Sequence, residues 1–150
     1  MAGMSNYMRN RIIDWFHRGQ IFTPPSTVYL ELCSTAPSPG VVGTPLSGTG
    51  YARVAIPSGL TTWSGTQGDN TTAVSSGTSG VTSNNALIDF GTAAAAWGTA
   101  SHWQAYDAIT GGNPLFYGEI VNGVGVATPR SIALGDPVAF PISGLRPQWV

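Results

Sequence analysis

The sequence predicts a mainly β chain, folded as an antiparallel β-sandwich of jelly-roll-like or immunoglobulin-like type, with one N-terminal amphipathic helix. Three observations carry that prediction. Apolar residues recur every three or four positions only near the start of the chain. After that point, short alternating runs are divided by Gly, Pro and Asn. No stretch between the runs is long and periodic enough to be the helical crossover that parallel strands need.

The helix is expected over 5–18. Met4, Met8, Ile12, Trp15 and Gly19 are spaced by three or four, and Ile13 and Phe16 widen the stripe. Ser5 or Asn6 can cap its start, and Gly19 can end it in a left-handed turn. His17 and Arg18 fall in the last turn, where positive charge suits the helix dipole. Arg9, Arg11 and Arg18 against Asp14 give this segment +2; since the whole chain carries −1, the remainder carries −3. The helix therefore has two readings. Either it lids its own sandwich, or it docks onto an acidic patch of a neighbouring copy.

Thr23-Pro24-Pro25-Ser26 cannot continue a helix and acts as a rigid connector. Strands are then expected over 27–34, 51–57, 86–90, 102–109, 115–121, 130–134 and 138–142. Val28, Leu30 and Leu32 share one face of the first, with Tyr29, Glu31 and Cys33 on the other. Thr110-Gly111-Gly112-Asn113 has hairpin chemistry, and Leu134-Gly135-Asp136-Pro137 reads as a second tight turn. Between the second and third strands, 58–85 is nearly all Ser, Thr, Gly and Asn, which fits a loop or an extended hairpin. A loop of that length in a small domain usually binds something. Trp63 on this polar arm is a natural interface anchor, and the loop is expected to reach across a subunit boundary.

At 150 residues the chain is most simply one domain over 1–150. Such a chain buries roughly 70% of its unfolded surface, so it needs neither metal nor disulfide to fold. Only 9% of its residues are charged, against ~25% in a typical domain. Low charge suits a surface covered by other subunits, and equally a secreted Ser/Thr/Gly-rich β domain. The opening MAGMSNYMRNR lacks the apolar core of a secretory signal, so assembly inside a cell is expected. The net charge of −1 gives no general attraction to nucleic acid, and no run of about 20 apolar residues suggests a membrane span. Cys33 is alone, which excludes an internal disulfide and fits a buried, inert thiol.

No catalytic constellation emerges. Ser76-Gly77-Thr78-Ser79-Gly80 has neither the spacing nor the strand-to-helix setting of a nucleophile elbow. His17 and His102 are the only histidines, without zinc-binding spacing. His102 reads as a partly buried strand residue hydrogen-bonded locally. Gly48-Thr49-Gly50 lacks the helix and Lys of a phosphate cradle. No enzyme activity, catalytic residue, metal or cofactor is expected. Five Trp, five Tyr and five Phe leave a carbohydrate-binding module as the alternative. Trp103 and Tyr106 have opposite parity, however, and cannot form one stacking platform on a regular strand.

Ser5-Asn6-Tyr7, Asp14, Arg18-Gly19, Phe22-Thr23 and Val28-Tyr29-Leu30 resemble the start of small virion proteins of tailed bacteriophages, commonly labelled phage tail fibre proteins. Gly50-Tyr51-Ala52-Arg53, Trp97-Gly98-Thr99, Asp107-Ala108, Thr110 to Asn113 with Leu115-Phe116-Tyr117-Gly118, and Gly135-Asp136 with Phe140 and Gly144-Leu145 continue the likeness in the same order. It departs at 58–85, which is longer here, and at the tail from Arg146. The resemblance implies a structural, non-enzymatic virion protein, tail-fibre-like or capsid-decorating, with no catalytic residues to transfer. Its expected location is the virion, after assembly in the host bacterial cytoplasm. The expected partners are other copies of the chain, a trimer for instance, and phage capsid or tail proteins. Under the carbohydrate-binding alternative, the partner is a host-surface glycan and the role is host-surface recognition. The expected interface residues are Arg9, Arg11, Trp15, Trp63, Arg146 and Trp149.

Overall fold

The structure, a computed structural model, describes residues 2–148. Strand β1 (Gly3–Met4) leads into helix α1 (Asn6–Arg18), followed by β2 (Thr27–Cys33), β3 (Val54–Pro57), β4 (Ile88–Thr92), β5 (Gly98–Ala100), β6 (His102–Tyr106), β7 (Pro114–Glu119), β8 (Arg130–Ile132) and β9 (Pro137–Phe140). The fold is thus mainly β with one N-terminal helix. All strand pairings are antiparallel. A five-stranded sheet has the order β1-β7-β6-β2-β3, and β4 with β9 and β5 with β8 form two-stranded sheets.

Alternation places Leu30 and Leu32 of β2, Ile56 of β3, and Trp103 and Ala105 of β6 on one face of the large sheet. Ile88, Ala100, Ile132 and Val138 from the two small sheets, with Trp97, Leu46 and Leu145, complete a single core cluster. The Thr110–Asn113 turn joins β6 to β7, which pair with Trp103 opposite Gly118. The turn at Leu134–Pro137 is also present, but it closes no hairpin: β8 pairs with β5, while β9 pairs with β4.

Helix α1 is set by its caps. Ser5 Oγ accepts from the Met8 N–H at 3.1 Å, and Gly19 adopts φ 65° while its N–H donates to the Asp14 carbonyl. Met4 lies in β1, ahead of the cap, and so does not extend the helical stripe. Segment 58–85 holds no strand, yet its ends meet in an antiparallel Trp63–Asn84 bridge. Asn84 and Ser83 at that base are fully buried. The Asn84 amide donates to the Ala86 and Pro141 carbonyls at 2.7 and 2.8 Å, and its oxygen accepts from the Leu145 N–H at 2.8 Å.

Candidate interaction surface

The helix is fastened at one end. The Ser5 N–H donates to the Leu115 carbonyl at 3.0 Å, Ser5 Oγ donates to the Pro114 carbonyl at 2.5 Å, and the Asn6 N–H donates to the Pro39 carbonyl at 2.6 Å. Packing is confined mainly to β7 and β1. No helix residue is buried. Ile13, Trp15 and Phe16 are 50%, 55% and 73% exposed, and Ile21 just beyond is 91% exposed. Trp15 and Phe16 meet edge to face with ring centroids 5.9 Å apart. An amphipathic helix ordinarily turns its apolar stripe inward. Here Met8 and Ile12 are half-buried, while Ile13, Trp15 and Phe16 stay exposed, apolar surface of the kind that marks an interaction site.

Of the residues expected at an interface, Arg9, Arg11 and Trp15 stand together on this helix, all exposed. Arg11 is partly engaged: its Nε donates to Tyr7 Oη at 3.3 Å, and its guanidinium lies 5.3 Å from the Tyr7 ring centroid. Arg9 makes no side-chain hydrogen bond or ion pair among the described residues. Trp63 belongs elsewhere; it is partly buried and packs against its own core. Arg146 forms an ion pair with Asp69 and donates from Nε to the Ser143 carbonyl at 3.1 Å. The 58–85 loop is therefore tied to its own chain at Trp63, Asp69 and Asn84. Trp149 lies outside the described residues.

The opposite face of the large sheet holds a polar cluster that the sequence did not reveal. Glu31, buried on β2, accepts from Arg53 Nε at 2.9 Å and from Gln104 Nε2 at 2.6 Å. Arg53 Nη1 also donates to the Ala108 and Gly111 carbonyls at 2.9 and 2.8 Å, and its guanidinium lies 3.4 Å from the Tyr106 ring centroid. Gln104 exchanges both amide groups with the Gly43 backbone, at 3.0 and 3.3 Å. The available signal was a carboxylate in the middle of a strand with an Arg at the start of the next. What buries it is the distant 34–53 segment, which strand parity does not report.

Among the described residues no buried side-chain donor of this cluster lacks a partner, as a packed polar network requires. His102 shares a 2.9 Å hydrogen bond with Ser101 Oγ, and burial holds its pKa below the ordinary value. His17 is exposed in the last turn of α1 and lies edge to face with Phe16. Among the described residues no three His, Cys, Asp or Glu side chains gather closely enough to hold a metal ion, and no helix is long and apolar enough to cross a membrane. A cleft of about 510 Å³ is lined by Ile120, Ile132, Phe140 and Ile142, with Arg130 and Arg146 also along its wall. Trp103 and Tyr106 are both buried, on opposite faces of the sheet as their parity requires.

No curated protein matches the chain. A family model described as "Podophage GP4 fiber I protein gp80" matches residues 3–148. That span takes in the exposed helix, all three sheets and the loop between β3 and β4. The chain therefore belongs to the podophage GP4 fiber I protein gp80 family, a family of structural phage fibre proteins.

Proposed function

We propose that this chain is a non-enzymatic fibre subunit of the phage virion that acts as a homo-oligomer, through contacts with its own copies and with other particle proteins. The carrying observation is helix α1, whose Ile13, Trp15 and Phe16 stay exposed although the rest of the chain has built a core. Uncovered apolar side chains of this kind make a poor surface for a solitary protein and a good one for a subunit. Low charge supports the same reading, because little of the surface is defended against association. The fibre description of the family favours a place on the tail over capsid decoration. A closed ring of identical subunits, such as a trimer, would satisfy every copy of the interface. The proposal draws on no sugar platform at Trp103 and Tyr106, since both are packed.

The test pairs Trp15→Glu with Phe16→Glu in the full chain. Mass by light scattering and uptake onto particles assembled without the protein are compared with the unmodified chain. The expected result is an unmodified chain that is multimeric and taken up, and a folded variant that is neither. A monomeric unmodified chain, or undiminished assembly of the variant, overturns the proposal.

A further inference from the structure

We propose that the exposed stripe of α1 docks onto the outer face of the β4–β9 sheet of a second copy, with Arg9 of one copy meeting Asp89 of the other. This rests on the homo-oligomer reading above and names its two surfaces.

On α1, Arg9, Ile12, Ile13 and Phe16 are spaced three and four apart and share one face. Arg9 is thus a lone cation set among apolar side chains, and it has no partner among the described residues. The β4–β9 sheet presents the mirror-image pattern. Its inner face carries Ile88 and Val138 into the core. The outer face carries Asp89 opposite Ala139, flanked by Leu87, Pro137 and Pro141, all exposed. Leu87 is 59% exposed. Asp89 accepts only from the Gly91 N–H, at 2.7 Å, and makes no ion pair among the described residues. A cation beside apolar residues on one surface matches an anion beside apolar residues on the other, neither of them paired among the described residues.

The occupant is a second copy because both halves lie on this chain and cannot meet within it. The helix is tied by Ser5 to β7 and by Asn6 to the Pro39 carbonyl and packs against β7 and β1, whereas β4 and β9 belong to a separate sheet. Covering Ile13, Trp15, Phe16 and Ile21 would remove roughly 400–670 Å² on the helix side, taking ~150–250 Å² for each whole large side chain and scaling by exposure. That approaches the ~800 Å² per partner of a standard interface. The contact joins two different patches, so it closes either as a two-fold pair, each helix on the other copy's sheet, or head to tail as a ring where the rotation allows.

Four forms of the full chain test this: unmodified, Arg9→Glu, Asp89→Arg and the double variant. Self-association is followed by sedimentation, with thermal unfolding as the check on folding; both positions are exposed. Each single reversal should weaken association ~10-fold or more, as close charge pairs across interfaces do. The double variant should recover it. Mixing the two single variants should restore association as mixed oligomers, since the reversed helix of one then faces the reversed sheet of the other. A multimeric unmodified chain whose single variants associate normally overturns this contact and leaves the homo-oligomer standing. Loss without recovery in the double variant also overturns it. Single variants that associate normally but fail to join particles assign the helix or the face to another virion protein, against this inference. A monomeric unmodified chain removes both readings.

Discussion

Arg53 shows how much one side chain can hold together. It neutralises Glu31, bonds two carbonyls at the β6–β7 turn and covers the Tyr106 ring. The pair is nearly dry, with 12% and 9% of the two side chains exposed. Such a pair does not by itself argue for stability, because desolvation offsets much of the attraction. Removing one partner is a different matter. Arg53→Ala leaves the Glu31 carboxylate buried without its cation, and should cost about 3–5 kcal/mol in urea unfolding. Arg53→Lys should fall between, since it keeps the charge and loses the planar fork.

At the scale of elements, the large sheet depends on close approach. Gly118 of β7 lies opposite Trp103 of β6, and a Cβ built there would come within 2.5 Å of the indole ring. Gly118→Ala should therefore displace Trp103 and destabilise by about 1–3 kcal/mol, the usual cost of overfilling a packed site. Thermal unfolding with tryptophan fluorescence would report both effects. Elements with local signals were legible in the sequence. The helix ends were written in Ser5 and Gly19, and β2, β3, β4, β6, β7, β8 and β9 in alternating runs, to within a few residues. β5 was not legible, because Gly-Thr-Ala carries no apolar alternation, and the two residues of β1 were absorbed into the helical pattern. Of the proposed interaction surface, only the helix side was legible, since helical spacing alone places Arg9, Arg11 and Trp15 on one element. The Asp89 face exists only once β4 pairs with a strand some fifty positions away, and spacing along the chain does not encode that partnership.

For the whole molecule, the buried titratable groups set a limit on the alkaline side. Burial pushes the Cys33 thiol up to about 12 from an ordinary 9.0, with the charge of Glu31 as a second cause. Tyr106 is likewise raised to about 12 from 10.0, by burial first and Glu31 next, and Tyr51 is raised by burial while its hydroxyl bonds the Leu32 backbone. In each case the folded chain keeps a proton that the unfolded chain releases at lower pH. Their contribution is thus fully present below about pH 9 and is lost as pH rises toward 12, by at most ~1.4 kcal/mol per pH unit for each group. Urea midpoints measured between pH 8 and 12 should fall, and Cys33→Ala should make the fall shallower. A thiol held protonated in this way should also resist alkylation until the chain unfolds.

The chain has two tips that look alike in composition and differ in what they can become. The turn at 122–126 is closed by its own bonds, with Asn122 Oδ1 accepting from the Val124 and Val126 N–H groups. The turn at 108–112 is leashed by Arg53 to the middle of the large sheet. Lengthening the first disturbs little beyond itself, so that is where descendants of this chain are free to drift and where a foreign peptide can be grafted for display. The second is closed to such change, because altering it unseats a charge on the far side of two strands.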